Sequence, residues 1–371
     1  MERTAGRLAD GRQIIWYDAD GTHRTAVADR RDLPTTVTGS QLRRDPLTGE
    51  WIAVASHRQS RTYLPPADEC PLCPSDDHLS EIPSPEYQVV AFENRFPSYE
   101  LNAEAPDATD GLDTASSASL PRPLDPHLEQ IRAGRGRCEV VCFTSDHNAS
   151  FAQLTPQQAR LVVDTWADRT TDLNAIDSVQ HVFPFENRGK EIGVTLQHPH
   201  GQIYAYPFIP PRAATELAHA QAYQQEHGRS LFGDIIASES AAGTRVIAEN
   251  AEWIAFVPFA ARWPIEVHFY PTRQVPDIPA LDDAARDGFV EVYLDVLQRF
   301  DRLYDEPTPY IAAWQQAPAR EHRDVAWLHL ELYSIRRGEG KVKFLAGSES
   351  GQGAFVNDGL PEGMAQRLRE A

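Results

Sequence analysis

Positive charge is scarce in this chain. Lysine and arginine together number 35 against 54 aspartates and glutamates, a formal net charge of −19, which argues against a nucleic-acid-binding surface as the main business of the protein. An anionic small substrate then requires positive charge to be concentrated locally. Lysine is scarcer still, occurring only at Lys190, Lys341 and Lys343; either those places need a compact ammonium or the distribution is chance. Cysteine is limited to four residues, which does not suggest a disulfide framework. No apolar run is long enough to span a bilayer, and the opening Met1-Glu-Arg-Thr-Ala-Gly-Arg has no apolar signal region. The expectation is a cytoplasmic chain with no membrane attachment and no nucleic-acid partner.

What remains is an ordinary globular composition, 41% hydrophobic and 24% charged over 371 residues, long enough for two domains or one duplicated domain. The first forty residues alternate short β-like runs with charged turns and read as an appended hairpin. Residues 103 to 130, rich in Ala, Asp, Ser and Pro, read as a solvated loop. A regular order follows: a strand at Glu139 to Phe143, a helix from Pro156 to Leu173, a strand at Val182 to Phe185, then a histidine-bearing strand. Thr155-Pro156-Gln157-Gln158 supplies an N-cap threonine and a proline at the first helical position.

The same order recurs in the second half. Trp253 to Phe259 and Glu266 to Tyr270 read as strands, Asp283 to Tyr304 as a long amphipathic helix, and Tyr310 to Trp314 and Trp327 to Tyr333 as strands. Phe92-Glu-Asn-Arg-Phe-Pro97 parallels Phe259-Ala-Ala-Arg-Trp-Pro264, and Leu328-His-Leu-Glu331 stands where the histidine motif stood. The chain reads as two copies of one α+β unit, mostly antiparallel sheet with helices packed on one side, joined by a helical and hairpin connector from Arg212 to Asn250. The predicted division is a hairpin extension at 1–40, a catalytic domain at 41–211 and a second domain at 212–371.

The most informative segment is His198-Pro-His200-Gly-Gln202. In a strand these three polar side chains share one face, and the proline, which lacks a ladder donor, points to a sheet edge or a strand start. A neutral imidazole is a competent nucleophile toward phosphorus, since one ring nitrogen keeps a lone pair while the other is held by an acceptor. His200 in that role would attack an α-phosphate, and the Gln202 amide would donate to the phosphoryl oxygen as charge develops. The alternative is a pair of structural histidines satisfied by backbone. Cys70-Pro-Leu-Cys73, in a Pro-rich stretch, has a spacing that suits metal chelation or redox work, whereas Cys138 and Cys142 read as buried small hydrophobes.

Taken in order, Arg43-Arg-Asp-Pro-Leu-Thr-Gly-Glu-Trp51, Cys-Pro-Leu-Cys, Ser145-Asp-His147, Glu186-Asn-Arg-Gly189, His-Pro-His-Gly-Gln and Ala346-Gly-Ser-Glu-Ser-Gly351 resemble the galactose-1-phosphate uridylyltransferase family, a branch of the histidine-triad superfamily. The order is more specific than any one motif. The resemblance implies a duplicated histidine-triad-like fold and a double displacement. His200 takes the uridylyl group from UDP-glucose, glucose 1-phosphate leaves, and galactose 1-phosphate takes the group on. Hydrolase branches carry a third histidine where this chain has Gln202; a sugar phosphate leaves readily and needs little protonation, so a general acid is dispensable.

The resemblance further implies a structural zinc ion on Cys70, Cys73, His147 and His198. The iron site of some relatives maps onto Glu216, Gln315, His329 and Glu331, where two of three histidines are missing, so iron is expected to be absent. Arg58 and Arg61 fall near the nucleotide, Asn94 and Phe96 at the uridine, Asn187, Gly193 and Thr195 along the phosphate approach. Lys343, Phe344 and Glu349 fall at the hexose phosphate, often across a homodimer interface. Arg95 replaces a residue that is often acidic in the family, leaving open an adenylyltransferase or phosphorylase acting on ADP-sugar or a dinucleoside polyphosphate. The degenerate second half leaves open a third reading, a zinc-stabilised nucleotide-sugar-binding protein without turnover.

Overall fold

The computed structural model describes residues 1–34, 39–60, 64–75, 79–103, 125 and 127–371. Most of the stretch read as a solvated loop, and Arg61, lie outside the described residues. In the first half, β1 (Glu2–Arg7) and β2 (Gln13–Asp18) form a hairpin, followed by β3 (Gln41–Arg44), β4 (Trp51–Val54), β5 (Val89–Glu93), β6 (Ile131–Ala133), β7 (Arg137–Cys142), α1 (Pro156–Asn174), β8 (His181–Arg188) and β9 (His200–Tyr206). The second half runs α2 (Pro211–His227), α3 (Leu231–Ala242), β10 (Val246–Glu249), β11 (Trp253–Phe256), β12 (Ile265–Pro271), α4 (Asp283–Arg302), β13 (Tyr310–Gln315), β14 (His329–Ser334), β15 (Arg336–Gly338), β16 (Lys341–Val342), α5 (Gly347–Gln352) and α6 (Pro361–Glu370).

Eleven of these strands form one sheet in the order β1-β2-β5-β7-β9-β8-β13-β14-β12-β11-β10. Read inward from each end, β5-β7-β9-β8 and β11-β12-β14-β13 are the same arrangement, and the two copies meet where β8 pairs antiparallel with β13, Ala312 opposite Glu186. The N-terminal hairpin continues this sheet through the pairing of β2 with β5, and Arg3 and Tyr17 tie it to Asp172 and Asp168 of α1, each at 2.6 Å. A small sheet, β4-β3-β6, stands apart.

The two long helices form where the sequence places them because both starts are capped. Thr155 Oγ1 accepts from the Gln158 N–H at 3.2 Å, and Asp282 Oδ1 accepts from the Ala285 N–H at 2.9 Å. Both helices pack on one face of the sheet in a single core with Phe143, Phe151, Trp166, Trp253, Phe269, Phe289, Tyr293 and Trp314. Each such fully buried ring is worth ~2–3 kcal/mol of transfer free energy. The opposite face is also covered. Trp16, Val90, Phe92 and Cys142 pack there on Cys70, Leu72 and Tyr87, and α2 and α3 lie over Ile254, Phe256 and Tyr270, with Phe232 and Trp327. Strands such as β5 are therefore buried on both sides, Val89 and Ala91 toward the helices and Val90 and Phe92 away from them.

Candidate active site

Of the two places that the proline of the histidine strand allows, a sheet edge or a strand start, the structure takes the strand start. β9 is an interior strand, paired with β7 on one side and β8 on the other. Pro199 escapes the conflict by preceding the strand, which begins at His200; its carbonyl accepts from the Phe143 N–H at 3.3 Å. Access comes from the face of the sheet. Ile203 and Ala205 enter the core beneath α1 and α4, so His200 and Gln202, at the alternate positions, point to the other face. Gly201 between them has no room for a side chain, since a Cβ would lie 2.9 Å from both the Phe143 ring and the Phe185 carbonyl.

His198 leaves the predicted row. It lies before the strand, fully buried, and its Nδ1 faces Cys73 Sγ at 3.6 Å. Nε2 lies 2.8 Å from the Thr144 carbonyl and 2.7 Å from the Tyr87 hydroxyl, which itself donates to the Leu72 carbonyl at 2.8 Å. Burial lowers the His198 imidazole to about 4, so the ring is neutral. His147 Nδ1 lies 3.4 Å from Cys73 Sγ, and the donor atoms of Cys70, Cys73, His147 and His198 all fall within 4.8 Å of one another. Tetrahedral Zn–S and Zn–N bonds set sulfur-to-nitrogen edges of about 3.6 Å, so the donor set fits a metal of that kind, with Thr144 as the outer acceptor that orients a ligating imidazole.

The His198 carbonyl also accepts from His200 Nδ1 at 2.7 Å. A carbonyl only accepts, so Nδ1 carries the proton and Nε2 keeps the lone pair. Burial depresses the His200 pKa, which keeps the ring neutral. His200 and Gln202 line a cavity of about 160 Å³ with Arg58, Leu72, Glu81, Phe92, Asn94, Arg95, Phe96 and Thr195. Arg58 Nη1 donates to the Phe96 carbonyl at 3.1 Å and to Ser98 Oγ at 2.5 Å. Asn94 Oδ1 accepts from the Phe96 N–H at 2.8 Å, which fixes the turn that presents both residues.

Of the remaining predicted residues, Asn187 shares a face of β8 with Phe185, the cross-strand partner of Gln202. Gly193 ends a short helical turn at φ +81°, a left-handed conformation that favours glycine. Lys343, Phe344 and Glu349 gather instead at the start of α5, where Lys343 Nζ lies 3.3 Å from Glu349 and Phe344 is 74% exposed; none of the three lines the His200 cavity. Glu81 is a cavity residue that sequence reasoning missed. It is held by Arg12 at 2.5 Å and Arg31 at 2.7 Å, with Arg95 3.6 Å away, and no local spacing links these distant residues.

In the second half, Glu216, His329 and Glu331 converge, their donor atoms within 4.8 Å. Gln315 joins them through Nε2, which donates to Glu331 Oε2 at 3.4 Å. Glu216, His329 and Glu331 line a cleft of about 910 Å³ under α2 and α3 with Arg212, His268, Phe232 and Tyr270.

The fold is that of the uridylyltransferases. The solved "Structure of uridylyltransferase" superposes with a TM-score of 0.75 at 31% identity, covering 89% of this chain and 97% of that one. The structure titled an ADP-glucose phosphorylase from Arabidopsis thaliana with bound ADP-glucose shares the fold, with a TM-score of 0.66 at 21% identity over 90% of this chain and 99% of its own. Models of the galactose-1-phosphate uridyl transferase N-terminal and C-terminal domains match residues 31–210 and 216–370. Galactose-1-phosphate uridylyltransferase of Streptomyces lividans is 47% identical over 100% of this chain and 98% of its own length. The chain belongs to the galactose-1-phosphate uridylyltransferase family.

Proposed function

We propose that this enzyme moves a uridylyl group from UDP-glucose to galactose 1-phosphate by way of His200. The observation that carries the reading is the Nδ1–H bond to the His198 carbonyl, which leaves the Nε2 lone pair at the cavity beside Gln202. Nε2 attacks the α-phosphorus; a P–N bond forms, the bond from that phosphorus to the bridging oxygen breaks, and glucose 1-phosphate leaves with the electron pair. Positive charge that develops on the ring is shared with the carbonyl through the Nδ1 proton. The Gln202 amide donates to the phosphoryl oxygen. A phosphate oxygen of galactose 1-phosphate then attacks the same phosphorus, the P–N bond breaks, and the imidazole returns neutral with UDP-galactose released.

Arg58 and Arg61 serve the nucleotide phosphates, Asn94 and Phe96 the uridine, and Asn187, Gly193 and Thr195 the approach to phosphorus. Cys70, Cys73, His147 and His198 would hold zinc, which would supply a structural cross-link there, and the buried His198 presents its carbonyl to His200 Nδ1. Lys343, Phe344 and Glu349 serve the hexose phosphate from the second subunit of a homodimer. Their position outside the cavity and the exposed Phe344 and Leu345 beside Lys343 support that arrangement. The domains divide at 41–211 and 212–371, with 1–40 as an extension, close to the bounds of the two family models. A cytoplasmic location suits four cysteines of which none forms a disulfide; among the described residues no helix is long and apolar enough to cross a membrane.

Intact-mass measurement after mixing with UDP-glucose alone tests the mechanism. One uridylyl group per chain is expected, lost in His200→Ala; no adduct, or an adduct that survives that substitution, sinks the reading. Arg95, 38% exposed and 5.8 Å over Phe96 at the nucleotide end of the cavity, favours a second reading in which the base is adenine. Faster adduct formation from ADP-glucose than from UDP-glucose would establish it.

A further inference from the structure

The two copies can be superimposed residue by residue through strand register. Gln202 pairs with Val140 of β7 and Phe185 of β8; Glu331 pairs with His268 of β12 and Ala313 of β13. Glu331 is thus the counterpart of Gln202, and His329 that of His200. The posture of the imidazole is kept, with His329 Nδ1 2.9 Å from the Trp327 carbonyl two residues back, so its Nε2 also keeps a lone pair. With Glu216 and Glu331 this makes a donor set of two carboxylates and one imidazole, the kind that takes a divalent cation such as Mn(II) or Fe(II).

Those carboxylates already have a cation. Arg212 Nε donates to Glu216 Oε1 at 2.9 Å, and Arg212 Nη2 donates to Glu331 Oε1. The other oxygen of Glu331 accepts from Gln315, and His268 Nε2 lies 3.5 Å from Glu331 and 2.9 Å from Glu266. Arg212 sits in the first turn of α2, where the helix dipole disfavours a cation, and it precedes Glu216 by four residues, the weaker orientation of such a pair. A residue that breaks two local rules is held there by something else, and the buried Glu331 is what it reaches. Its guanidinium does not lose its proton, so an incoming dication must either share the cleft with a like charge or expel the arginine from both carboxylates.

We propose that Arg212 is a built-in cation standing in the place of a second metal, so that the C-terminal cleft of this chain holds no ion and needs none. The probe is Mn(II), which a thiolate site binds poorly and an oxygen-rich one binds well, titrated into the full chain and followed by the loss of the free-ion EPR signal. Arg212→Gln is expected to raise Mn(II) affinity by roughly a hundredfold, the effect of removing an adjacent like charge, and Arg212→Gln with His329→Ala to reverse the gain. Failure of Arg212→Gln to gain a site, or Mn(II) binding by the unaltered chain as tight as by Arg212→Gln, overturns the proposal. Metal analysis reads the same question without touching Arg212. Metal that disappears entirely in Cys73→Ser supports it, and metal kept in Cys73→Ser but lost on adding Glu216→Gln refutes it.

Discussion

β9 and β14 hold the same place in two copies of one unit, each opening on a histidine whose Nδ1 is pinned by the carbonyl two residues back. Two residues on, β9 carries a neutral amide and β14 a buried carboxylate. Around His200 the groups at the cavity include Arg58, Arg95 and Glu81; around His329 they include Glu216, Glu331 and Arg212. A phosphoryl group gains charge as a nucleophile attacks it, so an amide donor suits such a step and a carboxylate at the same position opposes it. Posture is shared by the two imidazoles; the group two residues on, an amide in one copy and a carboxylate paired with Arg212 in the other, is where the copies differ.

The sharpest way to break this contrast is to remove each histidine. His200→Ala is expected to lower the steady-state transfer rate by roughly 10⁴-fold or more, as for a lost covalent nucleophile, while His329→Ala stays within about threefold, since no bond to phosphorus depends on it. Comparable losses in the two variants would end the division of labour. Next in size is the metal. Cys73→Ser is expected to destabilise the fold by several kcal/mol in denaturant unfolding, because binding energy at a structural site is folding energy. Glu216→Gln should leave metal content unchanged.

A third test lies at the seam. Glu186, buried opposite Ala312, accepts from the Tyr310 hydroxyl at 3.0 Å, while Oε2 has no partner among the described residues. Trp314 stands at its counterpart position. Burial pushes the Glu186 carboxyl up to about 7. A folded pKa above the unfolded one means that stability is fully present below pH 4.5 and declines as pH rises to about 7. Glu186→Gln is therefore expected to be the more stable protein at pH 8, by ~1–3 kcal/mol, with the gap closing at pH 4. Equal stability at both pH values would show that the carboxyl is not held neutral. The smallest effect concerns the helix starts. Thr155→Ala and Asp282→Ala should each cost ~1 kcal/mol, and unequal costs would mark the half whose helix start matters more.

Much of this comparison was legible in the sequence wherever the signal is local. The capped start of α1, the period of α4 and the repeated strand order survive because each depends on neighbours in the chain. Two features depend on contacts that are not local. Pro199 allows a sheet edge or a strand start, and the choice of the start of an interior strand is made by the pairing of β9 with β7 and β8. The helical and hairpin stretch from Arg212 to Asn250 forms α2, α3 and β10, and what its sequence does not show is that α2 and α3 bury the second face of the sheet and build the C-terminal cleft. Glu81 and Arg212 could not be singled out, because Arg12 and Arg31 lie 50 or more residues from Glu81 and the buried partner Glu331 lies 119 residues from Arg212.

The junction of β8 with β13 also sets how this chain can be cut. Each copy alone would end in a strand with a full row of unsatisfied backbone groups, bordered by buried apolar side chains, the kind of edge that recruits other chains into aggregates. Joined, the copies hide both rows at once, and the sheet is left with β1, carrying Glu2, Arg3 and Arg7, and the short β10 as its borders. Severing the polypeptide near residue 211 would leave two sticky fragments, soluble only when produced together.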